Sequence, residues 1–283
     1  MRIRIRHETT LGYNEPAKWT IQNLRMTPRD YDGQHVGSWR IEIDHECRLR
    51  ETEDAFGNRM HRLTMEGPVN ALKILVEGEV TTFDTAGVAS GVIERLPNAF
   101  FLRETTLTAP DARIAALVRE ATAGADAKLD RLHRLMGAVR QALGPATESA
   151  TVGDAPHAQT AAEALARGKG SYHDFAHLFI AGARMIDAPA RYVSGYLLQG
   201  DRHADASGHA WAEAWIEHLG WVGFDPAQGV SPGEAYVRIA TAPDSLGAAP
   251  IRAARMGGGD ERIDVRLEVL DAAPSARIWG EAQ

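Results

Sequence analysis

The stretch Gly168–Gly182 reads GKGSYHDFAHLFIAG. Glycines at 168 and 170 predict a tight turn. Ser171 and Asp174 have capping-box spacing, so a helix should start there. The apolar residues Phe175, Leu178, Phe179, Gly182, Met185 and Ile186 then recur at helical spacing and predict one buried stripe, stopped by Pro189. A helix mouth behind a glycine turn is a common mount for a nucleophile, because backbone N–H groups and the positive end of the helix dipole converge there. The residue at this mouth, however, is Tyr172, and a phenol with a reference pKa of about 10 is a poor nucleophile at neutral pH.

Moving back towards the N-terminus, the first 105 residues read as β. RIRIR, SWRIEID and ALKILVEGEVTTF alternate or are rich in branched residues, and DAFGN at 54–58 reads as a turn. A small antiparallel sandwich is the expected architecture. From Thr108 the pattern becomes helical. TAPD at 108–111 has capping-box spacing, with Thr108 as the cap. Ile114, Leu117 and Val118, then Leu129, Leu132, Leu135, Met136 and Val139, mark two helices separated by Gly124. Residues 144–159 read as a loop. Thr160 with Glu163 starts a short helix that Gly168 ends.

Beyond the opening stretch the pattern returns to strand. ARYVSGYLL begins at 190, and HAWAEAWIE and WVGFDPAQG follow, the last two joined by a turn around 218–220. The fold class is therefore α+β, with an N-terminal β-sandwich-like domain (1–105) and a core of helices on an antiparallel sheet (106–283).

Composition narrows the function classes. The 283 residues are 44% hydrophobic and 24% charged with a net charge of −7, as expected of a folded globular chain without a basic surface for nucleic acid or anionic lipid. No apolar run approaches the roughly 20 residues of a membrane span, and the N-terminus lacks the apolar core of a signal peptide. The expectation is a cytoplasmic protein. There is a single cysteine, Cys47, so neither an internal disulfide nor a thiolate cluster can form. It lies in RIEIDHECRLRE, which reads as strand and not as a nucleophile turn.

Three segments carry the candidate chemistry: the helix mouth Ser171–Asp174, His209 in GHAWAEAW, and Asp225 in GWVGFDPAQG. A histidine beside a helix mouth can serve as a base, and a carboxylate can fix its tautomer. Together the segments resemble the transglutaminase-like superfamily, which includes papain-like thiol proteases and amide-processing enzymes. Its Gly-x-Cys-x-Asp-Phe-Ala-His helix start, His-Ala-Trp strand and Gly-Trp…Asp-Pro strand stand here as GSYHDFAH, HAWAEAW and GWVGFDPAQG. DAPARYVSGYL resembles the segment between the first two, and YVRIATAPD and GGGDERIDVRLEV resemble the closing strands. The first 105 residues look like the N-terminal region of bacterial members.

The resemblance places Tyr172 at the nucleophile position, His209 as base and Asp225 as the orienting acid, with Ser171, His173, Asp174, His177 and Trp211 as accessory residues. It also implies a papain/transglutaminase-like core and a peptide or protein ligand, without cofactor or metal. The chain departs from the pattern at 172, where the family has cysteine, at 173, and at TAPD 241–244. Spacing alone does not bring His209 to Asp225. A tight hairpin at 218–220 sets Asp225 opposite residue 212 or 213, leaving His209 roughly 10–13 Å away at the strand rise. That pairing is implied by the resemblance.

The expected function is that of a relative of thiol amide-bond hydrolases and acyltransferases turned pseudoenzyme or strongly altered enzyme. One alternative is retained catalysis through Tyr172 or Ser171 with His209 and Asp225. Under it a metal held by His173, His177 and His203 or His209 is outweighed by the ordinary packing of those residues. The other alternative is a non-catalytic peptide-binding or scaffold module.

Overall fold

The computed structural model describes residues 1–146, 159–199 and 208–272. The predicted loop at 144–159 falls largely, and His203 wholly, outside these residues. Four strands come first: β1 (Arg2–Thr27), β2 (Gln34–Ile43), β3 (Arg50–Glu53) and β4 (Arg59–Thr82). Four helices follow: α1 (Ala112–Thr122), α2 (Lys128–Leu143), α3 (Ala161–Arg167) and α4 (Tyr172–Met185). The chain then forms β5 (Ala190–Leu197), β6 (His209–Ile216), β7 (Gly220–Phe224), β8 (Tyr236–Ala242), β9 (Ile251–Gly257) and β10 (Glu261–Asp271).

The N-terminal region is one antiparallel sheet that bends over on itself. Its central path is β10-β1-β4-β2, with β3 on β4 and β9 on β1. In the first half of β1 the odd residues Ile3 to Tyr13 point inward. After register shifts between Gly12 and Trp19, the even residues Thr20, Gln22, Leu24 and Met26 do so. Leu11, Tyr13, Leu24 and Met26 then share one apolar cluster with Leu63, Leu72 and Ile74 of β4. The expected sandwich is thus a single sheet whose two halves face each other. The division at 105 groups residues 251–271 with the helical core, whereas in the structure they pair with β1.

The second sheet has the order β7-β6-β5-β8, all antiparallel. Helix α4 packs on it and is buried around nearly its whole circumference from Asp174 to Arg184. The predicted stripe is therefore only part of its buried surface, while Met185 is exposed. A methyl group on Gly182 would come within 3.0 Å of Leu135 and Val118, so glycine allows α1 and α2 to approach closely. Two capping boxes stand where the sequence puts them, at Thr160–Glu163 and Ser171–Asp174. The first helix starts three residues later than expected. Asp111 is its cap and accepts from the N–H groups of Arg113 and Ile114. Thr108 instead ends a 3-10 turn, and its buried hydroxyl accepts from Arg184 Nη1 at 2.6 Å.

The N-terminal region shields both edges of the second sheet. On the β7 side, Ala89 N donates to Trp221 O (2.8 Å) and Gly223 N to Gly87 O (2.8 Å). On the β8 side, the Gln34 amide bonds both N and O of Arg238, and the Asn58 amide bonds both N and O of Thr241. Each amide imitates a neighbouring strand and pairs the edge of β8 at Arg238 and at Thr241.

Candidate functional site

The site is assembled where the N-terminus of α4 meets the start of β6. Gly170 is required by crowding, because a methyl group there would sit 2.6 Å from Asp174 Cβ. The Asp174 carboxylate accepts from both the backbone N–H (2.7 Å) and the hydroxyl (2.9 Å) of Ser171. The Ser171 hydroxyl thus points to the cap, the ordinary role for serine at this position. Tyr172 follows as the first helical residue, half-buried. Its ring centroid lies 4.9 Å from that of His209, at 60°.

His209 Nε2 donates to Asp225 Oδ2 at 2.5 Å, and both residues are buried. Asp225 Oδ2 also accepts from Tyr236 OH at 2.9 Å. Oδ1 accepts from the N–H groups of Ala227 (3.0 Å) and Gln228 (3.1 Å). These four donors fill the acceptor positions of one carboxylate and hold it in a single orientation. With its proton directed to Asp225, a neutral His209 ring keeps the lone pair on Nδ1. Trp211 stacks near the same ring (centroids 6.2 Å, 27°), and Tyr236 closes a third side (5.8 Å). A side chain at Gly195 would collide with Trp211 at 2.7 Å and with Val237 O at 2.1 Å. The position of Trp211 therefore depends on that glycine.

The His209–Asp225 contact is made by register. The β6–β7 turn pairs Ile216 with Gly220 and Ala212 with Phe224. Extending this register by one sets Asp225 level with Trp211, two residues from His209 and on the same face of the strand. The hairpin expected at 218–220 is thus centred nearer 218, and the span shrinks to side-chain reach. Asp225 leaves the strand through a turn in which its own N–H donates to Val230 O at 2.9 Å.

The accessory histidines lie behind the mouth. His173 Nδ1 and Tyr192 OH are 2.5 Å apart. Burial, with a smaller contribution from His209, pushes the His173 pKa down to about 4. His177 Nε2 accepts from Ser245 N (3.1 Å), and burial, then His173 and Arg184, lower its pKa to about 3. Both are neutral packing residues at physiological pH. Among the described residues no group of three or more His, Cys, Asp or Glu is placed to share a metal ion. Cys47 lies between β2 and β3, not in a strand, and outside this region; burial, then Asp44, raise its thiol pKa.

Two buried arginines escaped the sequence reading. Arg191 Nε donates to Glu213 (2.7 Å), Arg238 Nε donates to the other oxygen (2.8 Å), and Arg191 Nη1 reaches Glu94 (3.0 Å). The Arg191 guanidinium also lies 3.8 Å from the Trp221 ring centre. Burial alone would raise the Glu213 pKa, but Arg238 and Arg191 outweigh it and hold it at about 2. Arg184 of α4 donates to Phe101 O, Ala190 O and Pro243 O, all at 2.8 Å, tying the helix to three other segments. The available signal was a charged residue at a position where the hydrophobic pattern demands burial, which requires a partner.

A capped helix mouth set against a strand histidine with a buried aspartate partner, on an α+β fold, is an arrangement that fits a transglutaminase-like core. The chain combines a transglutaminase-like superfamily core, matched by residues 115–226, with a bacterial transglutaminase-like N-terminal region, matched by residues 3–81. An uncharacterised protein of Mycobacterium leprae is 26% identical over 300 aligned positions, covering 96% of this chain and 99% of the relative. The crystal structure of a candidate cysteine protease from Cytophaga hutchinsonii superposes with a TM-score of 0.74. That match has 19% identity and covers 97% of this chain and 92% of the other, a likeness of fold.

Proposed function

We propose that this chain is a transglutaminase-like protein that has given up thiol acyl transfer, a cytoplasmic pseudoenzyme or strongly altered enzyme whose site engages a peptide or protein segment. The observation that carries this reading is the Tyr172 ring, seated 4.9 Å from His209 where the family has its cysteine. A phenol reaches further than a thiol and occupies space that a scissile carbonyl would need. Loss of a triad nucleophile costs on the order of a million-fold in kcat. The only cysteine of the chain, Cys47, is outside the core and cannot substitute.

The test is to incubate the protein with a glutamine-containing peptide and an amine, and separately with isopeptide and protease substrates. No turnover above buffer is expected. Turnover lost in both Tyr172→Phe and His209→Ala would sink the proposal. That outcome would establish a second reading, in which Tyr172 works with His209 as its base. What favours the second reading is the intact 2.5 Å His209–Asp225 pair. Loss in Ser171→Ala alone would move the nucleophile to Ser171.

A further inference from the structure

The two oxygens of the Asp225 carboxylate have different partners. Oδ1 takes the backbone N–H groups of its own turn, from Ala227 and Gln228. Oδ2 takes two side chains from other strands, His209 Nε2 at 2.5 Å and Tyr236 OH at 2.9 Å. Tyr236 therefore shares the one oxygen that holds His209.

Its arrival there is a matter of register. Ser194 of β5 pairs with Ala240 of β8, but the next residue, Gly195, pairs with Arg238. Ile239 is thus the extra residue of a bulge. Side chains alternate along a strand, so without the bulge Tyr236 would share a face with Ala240 and Ala242, in the core beneath α4. With it, Tyr236 and Arg238 turn to the face that carries His209 and Glu213. One irregularity delivers both the Arg238–Glu213 ion pair and the Tyr236–Asp225 bond.

Tyr236 is buried, and its ring meets the Trp211 ring edge-on at 5.4 Å between centroids. Burial, then the Asp225 charge, raise the Tyr236 pKa, so the hydroxyl keeps its proton and donates it to the carboxylate bond. Hydrogen bonds polarise the groups that make them. Two donors on one oxygen draw on the same electron density, so each weakens the other.

We propose that Tyr236 is a positioning residue whose hydroxyl shares Oδ2 with His209 and so limits how firmly Asp225 holds the Nε2 proton. This role rests on the reading of His209 and Asp225 as the pair of the site, whether or not turnover survives. The carboxylate then orients the ring without gripping its proton as tightly as it would alone.

The test is proton NMR of the full chain with nitrogen-labelled histidine. A proton in a short carboxylate–imidazole bond resonates far downfield, and further as the bond strengthens. His209 should give one such signal, absent in His209→Gln. Tyr236→Phe keeps the ring and its packing but leaves Oδ2 to His209 alone, and should move the signal further downfield. A ring-fluorinated tyrosine at position 236 keeps the hydroxyl as a stronger donor, and should move it upfield. A residue that merely packed would leave the signal in place in both. Should Tyr236→Phe fail to fold, the fluorinated chain retains the hydroxyl and still reads the sharing. Turnover found in the wild-type chain would sink the pseudoenzyme reading and leave these shifts untouched. No downfield signal in the wild type, an unmoved signal in either variant, or an upfield shift in Tyr236→Phe would overturn the proposal.

Discussion

The Tyr172 ring lies 4.9 Å from the His209 ring at the point where a helix mouth meets a strand, and the far side of that histidine is held by Asp225 at 2.5 Å. The carboxylate–imidazole pair is therefore in place, and what it faces is a phenol. A helix N-terminus and a histidine would together depress the pKa of any thiol placed there.

The first prediction follows from that environment. In a Cys47→Ser background, Tyr172→Cys should give a thiol alkylated by iodoacetamide with a pH midpoint well below the free-cysteine value of about 8.5. Adding His209→Ala should move the midpoint back towards it. A midpoint unaffected by His209→Ala would mean that the ring contact does not couple the two groups.

Trp211 depends on an absent side chain. Gly195→Ala would push a methyl group to 2.1 Å from Val237 O and 2.7 Å from the Trp211 ring. Because backbone must move, the expected loss is about 1–3 kcal/mol, measured by urea unfolding, with a change in tryptophan fluorescence. Wild-type stability and emission in Gly195→Ala would refute the packing role.

Glu213 should shape the acid limb of stability. Its folded pKa is depressed to about 2 from an ordinary 4.5, so its contribution is complete above about pH 4.5 and disappears as pH falls through about 2. Glu213→Gln should lower stability at neutral pH and flatten the curve across that window. Parallel wild-type and Glu213→Gln profiles between pH 5 and 2 would contradict the assignment.

The two histidines of α4 act at higher pH. His173 and His177 are held neutral, at about 4 and about 3 against an unfolded value of 6.5. The unfolded chain takes up protons first, so their contribution is full above about pH 6.5 and declines as pH drops towards the folded values. His177→Gln keeps an acceptor for Ser245 N while removing one titration. Its acid-unfolding midpoint, followed by circular dichroism, should move to lower pH; a midpoint moving upward would count against this account.

Much of this protein is local and therefore legible in its sequence. The boxes at Thr160–Glu163 and Ser171–Asp174 close over three residues, so short-range hydrogen bonding suffices to place both helix starts. Even so, Asp111 displaced Thr108 as the α1 cap, because Thr108 is engaged by Arg184 from the distant helix α4. The motif residues Tyr172, His209 and Asp225 could be named from the chain. Whether Asp225 reaches His209 was decided by the β6–β7 register, which a shift of one residue would have spoiled by turning the side chain to the other face. The Arg191–Glu213–Arg238 cluster, the Gln34 and Asn58 amides on the edge of β8, and the return of β9 and β10 to β1 join residues from about 20 to more than 240 positions apart. Those contacts arise only when the whole chain is packed, since buried charges and open strand edges find their partners through the fold and not through sequence neighbours.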